Sequence, residues 1–445
     1  MIQAAAAPAV ISAGDTAWVL MSTALVMLMV PGLALFYGGL VRGKNALNSM
    51  MMSLAPLGII TVQWVVIGYS LSFSPGNSML GGLSWWGFGS VGATANATYA
   101  ATIPHIAFAL FQCMFAVITV SLISGAVVER MRFPAYLVFG LAWTTLVYDP
   151  LAHSVWGDGG WLRGLGALDF AGGTVVHVSA GTSALVAAII LGKRRVIGRA
   201  SLVPHSVPFT LIGAGLLWFG WFGFNAGSAL AASDIASMAF ATTHTAAAAG
   251  LATWILMDLM RTGKTTAVGA ATGAVIGLVA ITPAAGFVTT RAALSIGALG
   301  AIASYAAMQF RARTRVDDSL DVFACHGVAG IVGAMLTGVF ASKAINPAGA
   351  DGLMYGGGLH QVGVQAVAVL VTMVLSAVLT TGILVAIRAM MGVRATVAGE
   401  VIGMDTSEHG EEAYHAGDLG EMGGSAGALG HGVVLVRHAL PKKVA

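Results

Sequence analysis

Two histidines of this chain lie in short segments that resemble each other. His177 stands in VHVSAG and His326 in CHGVAG, so alanine and glycine occupy the third and fourth positions after each histidine. Both segments belong to long apolar runs, where an ionisable side chain is costly and usually functional. Two imidazoles that meet in such surroundings can share one proton and form a polar path through an apolar core.

The same two histidines could instead be ligands of a metal ion or of a haem iron. A structural zinc site needs four ligands, and no third or fourth ligand stands near either histidine at a suitable spacing. The chain also lacks an HExxH motif. We therefore expect no metal and no cofactor.

A second group of candidate residues combines aromatic rings with one hydroxyl. Its members are Phe111, Phe115, Trp156, Trp221, Phe224 and Ser228. Phe111 and Phe115 are four residues apart, so their rings share one helix face. Such a stripe can simply pack in a core or face lipid. With a hydroxyl on the stripe and Trp156 near the same end, it would form a cage for a small cation, because each cation–π contact contributes about 0.5 to 2 kcal/mol.

The composition indicates the elements that must hold these residues. Soluble domains contain about 25% charged residues, whereas this chain of 445 residues is 9% charged and 57% hydrophobic, with a mean hydropathy of +0.85. A membrane-spanning helix needs about 20 apolar residues. Runs of that kind recur at about 16–41, 46–72, 102–128, 133–155, 172–192, 206–231, 235–260, 265–285, 290–310, 321–341 and 361–391.

The basic residues set the expected orientation of these spans. Clusters such as Arg42 with Lys44 follow odd-numbered spans or precede even-numbered ones, so the positive-inside rule places the N-terminus outside and the C-terminus in the cytoplasm. The predicted fold is an all-α integral membrane protein with eleven transmembrane helices. Two inverted five-helix repeats, at about 16–192 and 206–341, precede a long eleventh helix at about 361–391. Such short basic clusters are not a nucleic-acid-binding surface.

Several longer segments carry a specific resemblance. They are PGLALFYGGLVRGKN, FQCMFAVITV, DFAGGTVVHVSAG, WFGWFGFNAGSA, DVFACHGVAGIVG and MDTSEHGEEAY, spread from residue 31 to residue 414. In this order they resemble the bacterial ammonium transporter family, the AmtB-like members of the Amt/Rh superfamily. The resemblance implies a homotrimer in the plasma (inner) membrane with one ammonium pathway per subunit, in a transporter that is not an enzyme. It also implies a cytoplasmic tail that binds a PII-type (GlnK-like) signal protein.

The resemblance assigns a role to each candidate residue. It implies an outer cation site at Phe111, Phe115, Trp156 and Ser228, a phenyl gate at Phe115 and Phe224, a pore lined by Trp221, His177 and His326, and a structural acid at Asp169. We rate a helix cap above direct cation binding for Asp169. The chain departs from the family at Asp149, a usually uncharged position, and in one extra residue after Trp156.

The composition changes after residue 393, where a transmembrane domain (1–393) gives way to a tail (394–445). The part that resembles the family's regulatory tail includes Glu400, Asp405, His409, Gly410, Glu411 and Tyr414. We expect its acidic residues to bind neighbouring loops rich in arginine. Residues 416–445 are rich in glycine and predicted to be disordered.

Three alternatives to a transporter stay open at this stage. An ammonium sensor or transceptor would use the same outer cage, although it usually has a sizeable signalling domain. An Rh-like gas channel would not need the cation site that Trp156 and Ser228 complete. A membrane redox enzyme would use His177 and His326 as haem ligands and would be coloured.

Overall fold

The structure is a computed structural model that describes residues 10–195 and 202–414. Its long helices are α1 (Ala13–Leu40), α2 (Gly43–Phe73), α3 (His105–Val127), α4 (133–156), α5 (Gly173–Leu191), α6 (Val207–Ala226), α7 (Asp234–Thr262), α8 (Ala267–Ile281), α9 (Thr290–Arg311), α10 (Phe323–Phe340) and α11 (His360–Met390). By length and composition, eight helices of the described part can cross a membrane, namely α1, α2, α3, α5, α6, α9, α10 and α11. The prediction of a helical membrane protein is therefore confirmed.

Side-chain caps explain where several helices begin. The hydroxyl groups of Ser12, Ser206, Ser233, Thr266 and Thr289 each accept a hydrogen bond from the backbone N–H three residues later. A helix leaves its first four N–H groups without partners inside the helix, and a capping oxygen satisfies one of them. These polar residues thus separate one apolar run from the next.

Four helices contain a π-helical turn. These turns are Trp64–Gly68 in α2, Thr144–Tyr148 in α4, Gly173–Val178 at the start of α5 and Phe323–Val328 at the start of α10. Turns of this kind are rare and are frequent at functional sites. The last two turns contain His177 and His326.

The helices pack in pairs around an apolar core. α1 runs along α6, α7 packs against α8 and α9, and α5 lies between α3, α10 and α11. One side of the molecule, which we call the loop side, has the segment 74–104 with the antiparallel strands β1 (Ala95–Asn96) and β2 (Ala100–Pro104). Aromatic rings of Tyr69, Phe73, Tyr99 and Phe108 pack together at this side.

The opposite side, which we call the tail side, has residues 394–414 docked against the helices. The α-helical part of α2 begins at Ala46, after the 3-10 turn Gly43–Asn45. Both carboxylate oxygens of Asp405 accept hydrogen bonds from the first turn of this part, from Leu47 N at 3.1 Å and from Asn48 N at 2.8 Å. Glu408 Oε2 accepts one from Phe133 N at the start of α4, at 2.9 Å. These two acids thus cap helix N-termini, where the helix dipole favours negative charge, and their partners are not the arginine side chains that we expected.

The other tail residues make contacts of several kinds. Glu400 accepts a hydrogen bond from Arg394 Nε at 2.6 Å, His409 Nε2 lies 3.1 Å from Asn48 Oδ1, and the Tyr414 hydroxyl lies 2.9 Å from His205 Nε2. Gly410 ends the turn Asp405–His409 with a φ of 68°, and Glu411 is exposed. The predicted disordered segment 416–445 lies outside the described residues.

Candidate functional site

The two histidines meet in the interior. Nδ1 of His177 and Nδ1 of His326 are 3.3 Å apart, and the two rings stack at an angle of 24°. Both side chains are almost completely buried. A hydrogen bond between two ring nitrogens needs one N–H and one lone pair, so the two imidazoles are placed to share one proton.

The glycine after each histidine explains how the rings approach. A β-carbon at position 181 would lie 2.2 Å from the backbone nitrogen of Gly327, and one at position 330 would lie 3.1 Å from Cβ of His177. Each glycine therefore lies where α5 and α10 cross. The repeated spacing of histidine and glycine lets the two helices touch through their backbones and brings the imidazoles into contact.

One side of the histidine pair is covered by aromatic rings. The indole of Trp221 stacks on the His177 ring with centroids 5.4 Å apart, and Phe224 stacks on it at 6.0 Å. Nε1 of Trp221 donates a hydrogen bond to Thr282 Oγ1 at 2.9 Å. This hydrogen bond fixes the indole flat against the imidazole.

The two phenyl rings of the predicted gate lie against each other toward the loop side. The centroids of Phe115 and Phe224 are 4.3 Å apart, with an angle of 30° between the rings. Phe111 and Trp156 contact Phe115 edge to face, with centroid distances of 4.9 and 6.2 Å. The structure thus brings three of the predicted aromatic residues together around a fourth, Phe115.

Ser228 follows α6 in a short 3-10 turn beside this aromatic group. Its hydroxyl donates to the backbone oxygen of Phe224 at 2.8 Å, which leaves the oxygen's lone pairs free to accept a hydrogen bond. The preceding residue, Gly227, packs on Phe111, since a β-carbon there would lie 3.0 Å from that ring. Ser228 is therefore next to the rings, with an acceptor oxygen and partial exposure.

Asp169 lies directly before α5, where both of its carboxylate oxygens accept hydrogen bonds. Oδ1 accepts from the N–H groups of Gly172 and Gly173 at 2.8 and 2.5 Å. Oδ2 accepts from the N–H groups of Thr174 and Val175 at 2.8 and 3.1 Å and from the Thr174 hydroxyl. This geometry is that of a helix cap, and the backbone oxygen of Asp169 also accepts from Trp156 Nε1 at 2.9 Å.

A narrow cavity surrounds the histidines and is almost entirely apolar. Its volume is about 10 Å³, close to the minimum at which a cavity accepts one water molecule. The lining residues are Met29, Leu33, Phe36, Tyr37, Ile118, Leu122, Val176, His177, Leu217, Trp221, Phe224, Val275 and His326. Phe36 also lines a much wider cavity of about 780 Å³ on the tail side, together with Cys325 and Asp321.

Protein zinc sites use three or four protein ligands, and the two histidines supply two. Within residues 10–195 and 202–414, no group of three or more His, Cys, Asp or Glu side chains is arranged to hold a metal ion.

Two residues near the site were missed by the sequence reasoning. Thr282, which holds Trp221, has no distinguishing sequence signal. Asp318 does have a sequence signal, because it stands eight residues before His326, just as Asp169 stands eight residues before His177. Asp318 Oδ2 accepts a hydrogen bond from Phe323 N at the start of α10, at 2.7 Å.

Known proteins resemble this chain over most of its length. The model of the Ammonium Transporter Family matches residues 17–414. An ammonium transporter of Bacillus subtilis is 49% identical over 402 residues, which cover 90% of this chain and 98% of that protein. A crystal structure of Candida albicans Mep2 has a TM-score of 0.82 and 38% identity, and the match covers 87% of each chain.

A further solved structure bears on the choice between transport and sensing. It is entitled "Sensor Amt Protein", is 28% identical with a TM-score of 0.80, and matches 89% of this chain and 98% of that one. The family model and the curated relatives confirm the resemblance found in the sequence. The chain belongs to the ammonium transporter family and is a multi-pass membrane protein.

Proposed function

We propose that this protein carries ammonium across the membrane by capturing the cation and passing neutral ammonia through an apolar pore. Capture takes place at Phe111, Phe115, Trp156 and Ser228 on the loop side. The rings attract the cation through their faces, at about 0.5 to 2 kcal/mol per contact, and the Ser228 oxygen accepts a hydrogen bond. A small cation with N–H donors suits this combination better than potassium does.

Deprotonation follows from the contrast between the capture site and the narrow cavity. A cation at the centre of a membrane costs about 2.5 to 3.5 kcal/mol even on insertion scales. Burial alone lowers lysine pKa values to about 5 or 6, and a shift of four units corresponds to about 5.5 kcal/mol. The stacked rings of Phe115 and Phe224 impose the same dehydration, so the ion loses its proton there.

The contact between His177 and His326 carries the proposal. Their Nδ1 atoms are 3.3 Å apart inside the narrow cavity, between the phenyl pair and the wide tail-side cavity. Ammonia passes along these rings, because they are polar groups in an otherwise apolar space. The proton can cross separately through the two imidazoles, which makes transport electrogenic, and ammonia is protonated again in the wide cavity.

The same proposal covers the arrangement of the protein in the membrane. All eleven long helices cross the bilayer as two inverted five-helix repeats followed by α11, the loop side is outside, and the tail side is cytoplasmic. The protein is a homotrimer in the plasma membrane, and residues 394–414 form a surface for a PII-type signal protein. α5 and α10 each begin with a π-helical turn that contains a histidine. This likeness supports their being the corresponding helices of two repeats.

Currents across proteoliposome membranes test the proposal. We expect ammonium to produce a current, methylammonium a smaller one and potassium none, because potassium has no proton to lose. Replacing both histidines, His177→Ala with His326→Ala, should reduce the ammonium current at least tenfold. His360→Ala is the matched control, since His360 is exposed at the start of α11, and its current should equal that of the wild type.

Two results would contradict this mechanism. The first is a full proton-coupled current in the double alanine variant, which would exclude the imidazole path. The second is a potassium current of wild-type protein as large as the ammonium current. If His177→Asp or His326→Asp admits potassium, that result would support the pair as the element that excludes intact cations.

Sensing is the second candidate function, favoured by the likeness to the sensor protein and by the docked tail. A sensor would change the contacts of residues 397–414 when ammonium binds. Hydrogen exchange of these amides, with and without ammonium, measures that change. A pure gas channel of the Rh type predicts instead that uptake follows the concentration of neutral ammonia and is unaffected by Trp156→Ala.

A further inference from the structure

His153 is a buried histidine that the transport mechanism leaves unused. It lies on α4 one turn before Trp156 and has no exposed surface. Nδ1 of its ring is 3.1 Å from the backbone oxygen of Ser72, and Nε2 is 2.7 Å from the backbone oxygen of Asn77. Both ring nitrogens therefore face carbonyl oxygens.

These two partners accommodate the possible protonation states of the ring differently. A carbonyl oxygen only accepts hydrogen bonds, and a neutral imidazole has only one N–H. In the neutral form, the second nitrogen would direct its lone pair at an oxygen lone pair. Only the imidazolium can donate to both oxygens.

A buried cation is stable only with a compensating charge, and the acid that shares Ser72 with His153 is Asp149. It lies four residues earlier on the same face of α4 and is fully buried. Its Oδ2 accepts a hydrogen bond from Gln63 Nε2 at 2.8 Å, and its Oδ1 accepts one from the Ser72 hydroxyl at 3.3 Å. Ser72 thus contacts both groups: its hydroxyl donates to Asp149, and its backbone oxygen lies next to the His153 ring.

The chain beyond His153 packs back onto it. A β-carbon at Gly157 would lie 2.6 Å from Nδ1 of His153, and one at Gly160 would lie 2.2 Å from its backbone oxygen. Trp156 stands inside this turn. The nearby Arg163 donates to the backbone oxygen of Trp156 at 3.0 Å.

We propose that Asp149 and His153 form a buried carboxylate–imidazolium pair, linked by Ser72, that positions Trp156 in the cation site. Through Ser72 and Asn77, the pair connects the end of α2 and the segment after it to the turn that contains Trp156. Neither residue touches the transported ion, so both are positioning residues. The effect on Trp156 rests on the proposed function, because Trp156 matters for capture only in a protein that takes up ammonium.

A double-mutant cycle tests the charge pair. Asp149→Asn and His153→Gln each leave one buried charge without its partner, so we expect each to raise the KM for methylammonium at least threefold while Vmax changes less than twofold. The double variant has no buried charge and should have a lower KM than Asp149→Asn alone. His360→Gln, at an exposed histidine, is the control and should leave both constants unchanged.

The proposal fails if Asp149→Asn leaves KM unchanged, because a neutral Asp149 is well mimicked by asparagine. It also fails if the KM changes of the single variants multiply in the double variant, since independent groups behave in that way. A lower Vmax at constant KM would place the effect in the pore and would likewise contradict positioning of Trp156.

A measurement that needs no transport separates this inference from the proposed function. Histidine labelled with ¹⁵N in the full-length protein in nanodiscs reports whether each ring nitrogen carries a proton, and the signal missing in His153→Gln identifies His153. We expect both of its nitrogens to be protonated at pH 7. A neutral tautomer would overturn the charge pair even if ammonium transport is confirmed, and the protonated ring would persist even if transport is not.

Discussion

The segments before α5 and α10 have the same spacing of acid, histidine and glycine but different surroundings. Asp169 and Asp318 each stand eight residues before a histidine of the buried pair and twelve before a glycine of the helix crossing. Asp169 has both oxygens occupied by the backbone of its own segment. Oδ2 of Asp318 accepts a hydrogen bond from Phe323 N, whereas its Oδ1 has no hydrogen-bond partner among the described residues. Equal spacing therefore positions both histidines, yet it leaves the two acids with unequal hydrogen bonding.

The sequence that follows each acid explains the difference. Asp169 precedes a pair of glycines, and Gly172, with a φ of 109°, lets the backbone fold over the carboxylate. Asp318 instead has a second acid, Asp321, three residues later, and Arg311 pairs with that second acid. Burial, with a smaller contribution from the charge of Asp321, raises the pKa of Asp318 to about 6.

The largest expected effect comes from removing the acids themselves. Asp169→Ala leaves five donors without their acceptor, and each unsatisfied buried group costs about 1 to 3 kcal/mol. We expect at least a tenfold loss of folded protein and of methylammonium uptake. Asp318→Ala leaves fewer groups unsatisfied and should retain more than half of the folded protein. Size-exclusion chromatography in detergent measures both, and equal losses would contradict the comparison.

Substitutions of the two glycines should have a smaller effect and again differ between the segments. A β-carbon at Gly181 would lie 2.2 Å from backbone nitrogen, whereas one at Gly330 would lie 3.0 Å from the backbone oxygen of Gly173. Gly181→Ala therefore has to separate α5 from α10, and we expect about a tenfold loss of methylammonium uptake. Gly330→Ala should lose less than threefold.

Gly215→Ala is the control for this pair, because a β-carbon at Gly215 on α6 would meet no atom within 4 Å. Alanine also favours the helix over glycine by about 1 kcal/mol, so this variant should transport as the wild type does. An equal loss of uptake for Gly181→Ala and Gly330→Ala would show that the two sides of the crossing are equivalent.

The smallest expected effect is a difference in the pH dependence of stability between Asp318 and its neighbour Asp317. The folded state favours protonated Asp318, so this residue's contribution to stability falls as pH rises from about 3.8 to about 6. Although burial opposes it, Arg194 lowers the pKa of Asp317 to about 2. The contribution of Asp317 is therefore present above pH 3.8 and is lost as pH falls toward 2.

Melting temperatures across this range measure the two contributions. Relative to the wild type, Asp318→Asn should gain stability above pH 6, by about 2 to 4 °C, and should show no gain at pH 4. Asp317→Asn should lose stability near neutral pH and approach the wild type at pH 2. Parallel curves for wild type and Asp318→Asn would mean that the pKa of Asp318 is not raised.

The sequence determined the helices and the family. Apolar runs of sufficient length predict helices whose ends agree within a few residues with those of the structure, as in α5 and α10, because helix formation in a membrane depends on local composition. The order of the motifs from residue 31 to residue 414 was enough to recognise an ammonium transporter. The spacing of His177 and His326 within similar segments singled out the pair before any contact between them was known.

Only the tertiary structure decided which of these residues touch. The contact between the histidines joins positions that are 149 residues apart, and helical periodicity describes the faces of one helix without describing its neighbours. For the same reason, the sequence could not reveal that Thr282 holds Trp221, that tail acids cap α2 and α4, or that one oxygen of Asp318 lacks a partner in the described part of the chain. Contacts between helices depend on how side chains from distant segments pack, and that packing is settled only when all of the helices are assembled.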